Sequence, residues 1–299
     1  MKMISIVITS FREPKTIGKA MESFVNQDIE EKYELFVCAP DEETLNVART
    51  YQMRNRNIKI FKDPGKGKAY ALNLIFPKLK GEIIIFSDGD VYVSENSINE
   101  ILKFFQNEKI GAVSGRPVAI NGKNNMVDYF SNLLLDAGAH SVRLEFDKKN
   151  KFLECTGYLF AIRNNLIEKI PYLDTAEDSI IPYLIWKQGY KISYAPEAKV
   201  YVKYPSNLKD FVKQRKRAGV GSHSKLTKYY PDFPRMKSFT NEIKKGTISA
   251  LQYPQNIKEF FWTLMLFPIR FYIWFIYYFE ASFKKKFYGD AWERIESTK

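Results

Sequence analysis

The sequence predicts an α/β fold whose core is a mixed, mostly parallel sheet with helices on both faces. Three observations carry that expectation. Short apolar runs without polar alternation recur through the first hundred residues, as strands buried on both faces require. Segments of helical period separate them, so the order strand–helix–strand repeats and right-handed crossovers follow. The most apolar run, Ile83-Ile84-Ile85-Phe86, ends in Ser87-Asp88-Gly89-Asp90, and the carboxyl ends of such strands are where open sheets hold ligands.

Strands are expected at Ile4–Thr9, Tyr33–Cys38, Ile58–Phe61 and Glu82–Phe86. A first helix opens near Pro14, which a first turn tolerates, and carries Ile17, Ala20, Met21, Phe24 and Val25 at helical spacing. A second follows Asp41, with Leu45, Ala48 and Tyr51 on one face. A third runs from Lys68 through Ala71, Leu72 and Ile75 to Pro77. Beyond residue 110 the pattern turns mixed. A strand at Ala112–Ala119, a helix near Met126–Gly138 and a strand-like Phe152–Arg163 precede an acidic turn, Thr175-Ala176-Glu177-Asp178. A helix over Ser179–Gln188 and strands at Lys191–Ala195 and Lys199–Tyr204 follow. Residues 1–205 therefore read as one catalytic-type domain, 206–258 as a basic segment completing its site, and 259–299 as an aromatic tail. No internal repeat or low-complexity linker interrupts the chain.

The net charge of +12 is concentrated: residues 203–258 hold 13 basic and 3 acidic side chains, while the rest is close to neutral. Such a segment suits nucleic acid, an anionic membrane or a phosphorylated substrate. Cys38 and Cys155 lie in apolar surroundings and read as buried reduced thiols of a cytosolic protein. The apolar stretch at the N-terminus is too short for a signal peptide and reads as the first strand.

Four segments carry candidate chemistry. Asp88 and Asp90, one residue apart on a turn, can share a hard divalent cation and leave positions for phosphate oxygens and water. Such an ion helps a diphosphate depart. Lys66-Gly67-Lys68 and Gln214-Arg215-Lys216-Arg217 could add positive charge to the same phosphates. Asp178, at a helix start, could deprotonate an attacking hydroxyl. Each segment alone has a plainer reading: a turn, a solvated loop, a helix cap and a surface charge run. Their order and spacing make the joint pattern specific.

Taken in order, ITSFRE, GKAYALN, SDGD, TGYLFAIR, AED and QRKRAG resemble the inverting glycosyltransferases of family 2, which have the nucleotide-sugar-binding GT-A fold. The resemblance covers roughly residues 3 to 221. It implies that Asp88 and Asp90 contact ribose, diphosphate and a Mg²⁺ or Mn²⁺ ion, with Asp90 the direct ligand. Ser10, Phe11 and Glu13 would line the nucleotide pocket, with Lys68 near the base or diphosphate. Gly157, Tyr158 and Glu177 would face the acceptor, Asp178 would be the general base, and Gln214, Arg215 and Arg217 would hold the diphosphate. His223 matches a late histidine that some relatives use as a metal ligand; a surface-loop histidine is the alternative. Two departures stand out. Ala218 occupies the place of a usual tryptophan, which argues against a processive polymerase. The cluster that normally grips uracil reads Cys38-Ala39-Pro40-Asp41-Glu42-Glu43, leaving Asp41 as the candidate. The implied donor is a UDP-sugar first and a GDP-sugar second.

Phe260–Phe279 is about long enough to cross a bilayer at roughly 1.5 Å per residue, but Pro268 and Arg270 near its middle oppose a simple span. Its aromatics and the following Lys284-Lys285-Lys286 suit the headgroup region of an anionic membrane. An interfacial anchor, a span and a core helix are the three readings. The expected place is the cytoplasmic face of the cell membrane, with a lipid-linked or other membrane-presented glycan as acceptor. Three alternatives remain: a sugar-nucleotide nucleotidyltransferase, against which the loop after the first strand lacks a glycine-rich phosphate cradle; a polyprenyl-phosphate glycosyltransferase, which needs no base; and a nucleic-acid binder, for which no motif is present.

Overall fold

Strands that are apolar on both faces need cover from both sides, and the chain supplies it by alternating them with helices. The computed structural model describes residues 3–172, 176–216, 222–234, 236, 246–283 and 298. In chain order the elements are β1 (Met3–Thr9), α1 (Ile17–Val25), β2 (Lys32–Ala39), α2 (Glu42–Gln52), β3 (Ile58–Lys62), α3 (Lys68–Ile75), β4 (Ile83–Asp88), β5 (Tyr92–Val93) and α4 (Ser97–Leu102). There follow β6 (Ile110–Ala119), α5 (Met126–Leu133), a π-helical stretch (Leu134–His140), α6 (Ser141–Lys148), β7 (Leu159–Arg163), α7 (Glu177–Lys187) and β8 (Lys191–Val202). The last are α8 (Leu208–Lys216), α9 (Ser222–Tyr229), α10 (Thr247–Gln252) and α11 (Ile257–Phe283). Two compact units result. One comprises 1–117, 146–172 and 177–202; the other comprises 118–145, 173–176 and 203–299.

The sheet has the order β3-β2-β1-β4-β7-β6-β8-β5. β1 pairs in parallel with β2 and with β4, and β2 with β3. β7 runs antiparallel to both β4 and β6, and β5 antiparallel to β8. The registers set Thr9 opposite Cys38 on one side and Asp88 on the other. Three carboxyl ends are therefore level at the place where strand order reverses, the usual ligand crevice of open α/β sheets. Ile4, Ile6, Val7, Ile8, Leu35, Val37 and Ile83–Phe86 are buried, and Phe86 stacks on its cross-strand partner Phe160 at 4.7 Å.

The middle of the chain departs from expectation. Only Leu159–Arg163 of the strand-like Phe152–Arg163 is a strand, because Gly157 and Tyr158 turn the chain before it joins the sheet. The two strands expected after residue 190 are one, β8, which continues through Pro196; proline fits extended backbone where no ladder N–H is needed. The helix expected near Met126–Gly138 continues through the π-helical stretch into α6. β5, only two residues long, has no sequence signal.

In the second unit Val127, Tyr129, Phe130 and Leu133 of α5 form a core with Phe211, Ala250, Leu266 and Ile273. The side chain of Asn256 accepts from the Glu259 backbone N–H, and Glu259 Oε2 accepts from Gln255 N–H, a reciprocal cap that starts α11. Thr263, fully buried on α11, bonds Tyr129 Oη at 2.7 Å. The opposite face leaves Phe261, Met265, Phe271, Tyr272, Phe275 and Tyr278 exposed.

Candidate active site

β4 delivers Asp88 at its last position, and Gly89-Asp90 turns away from the sheet. A side chain at Gly89 is excluded: a Cβ there would lie 2.3 Å from Ser10 Oγ and 2.9 Å from Glu13 Oε2. Ser10 Oγ in turn donates to Glu13 Oε2 at 2.8 Å, and both residues are buried. The loop after β1 is thus packed against the acidic turn after β4. Gly89 N–H donates to Thr9 O at 2.8 Å, closing the same corner.

Lys68 enters this corner from α3. Gly67 adopts a φ of +99°, a conformation open to glycine, and the helix starts at the next residue. Lys68 Nζ lies 2.6 Å from Asp88 Oδ1 and 2.5 Å from Glu177 Oε1. Burial works against the charge on Lys68, yet Asp88 and Glu177 outweigh that penalty and hold its pKa above the ordinary lysine value. Asp88 is shifted upward: burial raises it first, Lys68 opposes, and the neighbouring charges of Asp90 and Glu177 raise it further. Lys68, expected near the base or diphosphate, bonds two carboxylates in this structure. Glu177, expected to face an acceptor, is buried against Lys68.

Asp178 follows Glu177 on α7 and turns elsewhere. A Cβ on Gly157 would lie 3.2 Å from Asp178 Oδ2, so the absence of a side chain at 157 opens space at this carboxylate. Tyr158 O accepts from Ser87 Oγ at 2.9 Å, which ties the Gly157 loop to β4. The sequence-predicted Ser10, Glu13, Lys68, Asp88, Gly157, Tyr158, Glu177 and Asp178 thus share the carboxyl edge of the sheet in the first unit. Phe11 is half-buried there, with the Arg12 guanidinium 5.3 Å from its ring.

Asp41 bonds two backbone groups. It caps α2, with Oδ1 accepting from Thr44 N–H at 2.9 Å and Oδ2 from Arg12 N–H at 2.7 Å. Burial would raise its pKa, but these bonds outweigh it and leave the value lowered. Asp63 and Glu154 belong to none of the sequence motifs. Asp63, buried at the end of β3, accepts from Gly65 N–H at 2.7 Å; its signal was an acid before Pro64-Gly65 at a strand end. Glu154, fully buried, accepts from Ser179 Oγ at 2.8 Å; an acid inside an apolar run was its signal.

In the second unit Gln214 is buried on α8, and the Arg215 guanidinium lies over the rings of Tyr204 and Phe211 at 5.5 and 5.4 Å. Arg217 and the side chain of His223 lie outside the described residues, as do Thr175 and Lys284–Lys286.

The residues fit a divalent ion. Asp88 and Asp90 are hard oxygen donors, and burial beside two further acids makes added positive charge at Asp88 favourable. Among the described residues no group of three or more His, Cys, Asp or Glu side chains forms a metal cage. Two carboxylates with the remaining positions left to phosphates and water is the pattern of Mg²⁺-type sites.

Residues 2–221 match the family model described as "Glycosyltransferase like family 2". The chain belongs to that family. Its sheet is the GT-A fold: a mannosyltransferase from Pyrobaculum calidifontis, PcManGT, whose structure contains GDP-Man and Mn²⁺, superposes with a TM-score of 0.62 at 17% identity, over 94% of this chain and 81% of that one. The probable glycosyltransferase YdaM of Bacillus subtilis (strain 168) is 27% identical over 88% of this family member and 63% of its own length. The poly-beta-1,6-N-acetyl-D-glucosamine synthase of Staphylococcus aureus (strain COL) is 22% identical over 79% and 58% respectively. The chain thus spans less than two thirds of these curated relatives.

Proposed function

We propose that the protein is a metal-dependent inverting glycosyltransferase that moves a sugar from a nucleotide-diphosphate sugar to a hydroxyl of a lipid-linked or membrane-presented glycan. The observation that carries this reading is the joint placement of Asp88 and Asp178 at the carboxyl edge of the sheet: one carboxylate held by Lys68, the other beside Gly157, which has no side chain to crowd it. Asp88 and Asp90 would hold Mg²⁺ or Mn²⁺, and the ion would supply charge neutralisation for the departing diphosphate. Asp178 accepts the proton of the attacking hydroxyl. The acceptor oxygen bonds to the anomeric carbon as the bond to the diphosphate oxygen breaks, so the configuration inverts and the nucleoside diphosphate leaves with the electron pair. Ser10, Phe11 and Glu13 shape the nucleotide pocket. The Gln214–Arg217 motif supplies positive charge to the diphosphate. A UDP-sugar is the first donor to test and a GDP-sugar the second.

α11 supports the membrane part of the proposal. The stretch Ile257–Ile276 is long and apolar enough to cross a bilayer, with a mean hydropathy of 1.3. One face is committed to the core through Thr263, Leu266, Ile273 and Trp274, whereas a span would need lipid on that face too. An exposed aromatic face opposite a packed one suits a helix lying in the headgroup interface, on the cytoplasmic side.

A hydrolysis screen across UDP-, GDP- and TDP-sugars with Mg²⁺ or Mn²⁺ tests the core of the proposal. One donor should be cleaved slowly and only with the metal present. Calorimetry should show that Asp90→Asn loses metal-dependent nucleotide binding while its melting temperature stays near wild type. A mutant that binds nucleotide normally refutes the metal assignment.

A further inference from the structure

The base proposed above follows a buried acid that touches neither solvent nor an open loop. Glu177 is the first residue of α7, and its carboxylate is spent on Lys68, 2.5 Å away. Lys68 is itself the first residue of α3, where a helix dipole disfavours a cation. Buried ion pairs are weak contributors to stability because desolvation cancels much of their attraction. This pair is therefore poorly explained by stability alone. Ser179, on the other side of Asp178, has its own buried bond to Glu154 Oε2 at 2.8 Å. Asp178 thus sits between two pinned neighbours.

We infer that Glu177 is a positioning residue: its ion pair with Lys68, seconded by the Ser179–Glu154 bond, fixes the rotation of α7 so that Asp178 faces the Gly157 loop. Successive side chains on a helix diverge by about 100°. Holding positions 177 and 179 therefore sets the direction of 178, and a small rotation would swing its carboxylate off the reacting hydroxyl. Lys68 joins the same pair to Asp88, so the base helix and the acidic turn share one anchor. This inference rests on Asp178 being the base.

The test compares Glu177→Ala, Glu177→Gln, Ser179→Ala and Asp178→Asn, measuring transfer kcat, donor KM and nucleotide binding by calorimetry. Misplacing a catalytic group by about 1 Å can cost up to about 10²-fold, so Glu177→Ala should lose roughly 10- to 100-fold in kcat with donor KM and affinity within about threefold. Glu177→Gln, which keeps an oxygen for Lys68, should recover most of that loss. Ser179→Ala leaves the Lys68–Glu177 pair in place, so it gives the same reading at smaller size should Glu177→Ala fold poorly. Wild-type kcat in both Glu177→Ala and Ser179→Ala overturns the inference, as does a loss of nucleotide binding that matches the loss of kcat. If Asp178→Asn loses transfer while these variants do not, only the positioning role fails. If Asp178→Asn keeps full transfer, the base assignment itself fails.

Discussion

Two acid–lysine clusters stand at opposite ends of the same parallel strands, and they are built to different rules. Near the amino ends, Glu34 accepts from Ser5 Oγ at 2.7 Å, from Lys80 N–H at 2.7 Å and from Lys59 Nζ at 2.5 Å. Burial would raise its pKa, but these donors outweigh burial and hold the value below the usual carboxylate range. At the carboxyl end, Asp88 also has a lysine, yet burial and the nearby charges of Asp90 and Glu177 leave its pKa raised. The first cluster stabilises its anion with what the chain supplies. The second is a place where the fold tolerates an acid that its surroundings disfavour, and unfavourably held acids mark sites prepared for another charge.

That contrast can be broken at several points. The largest effect should come from Asp178→Asn, which removes the proposed base and should lower transfer by roughly 10²- to 10⁴-fold, read from initial rates with donor affinity within a few-fold. Equal rates would point to an acceptor that is already ionised, such as a lipid phosphate. Next is stability. Glu34→Ala leaves Ser5 and the Lys80 N–H without their acceptor and should cost about 2–3 kcal/mol in chemical denaturation. Asp88→Asn should change stability by no more than about 1 kcal/mol. Similar losses for the two would erase the distinction.

Smaller effects sharpen it. A divalent ion with nucleoside diphosphate, at ten times its dissociation constant, should stabilise the wild type by about 1.4 kcal/mol in thermal melts and leave Asp90→Asn unmoved. The pH dependence should be smallest. Glu34 has a depressed folded pKa, so its stabilisation is fully present above the unfolded value of about 4.3 and is lost as pH falls through the folded value. The stability gap between wild type and Glu34→Gln should therefore be constant near neutrality and shrink below about pH 4. A gap that widens in acid would show that the sign is wrong.

The parallel half of the sheet was legible because Ile4–Thr9 and Ile83–Phe86 are apolar without alternation and turn residues end them. Asp88 and Asp178 were legible for the same reason: acids at element ends stand out against apolar flanks. The antiparallel run of β7 was not, since a five-residue apolar strand carries no mark of direction. Nor was the fate of Lys68 and Glu177. A lysine beside a glycine looks solvated, and only the fold brings residue 177 to residue 68. Nor were the bonds of Asp41, whose two oxygens accept from the backbone N–H groups of Thr44 and Arg12.

α11 has a consequence for how this protein can be handled and how it can change. The helix presents aromatics outward and closes the core of the second unit inward, so its two roles cannot be cut apart by truncation. Removing residues 259–299 would uncover Tyr129, Phe130 and Phe211 as well as deleting the aromatic face, and an insoluble product would say nothing about lipid. The informative change is on one face only, for example Phe271→Ser with Phe275→Ser, followed by flotation on acidic and on neutral vesicles. A variant without the aromatic face would have to change it residue by residue, because the same helix closes the core of the second unit.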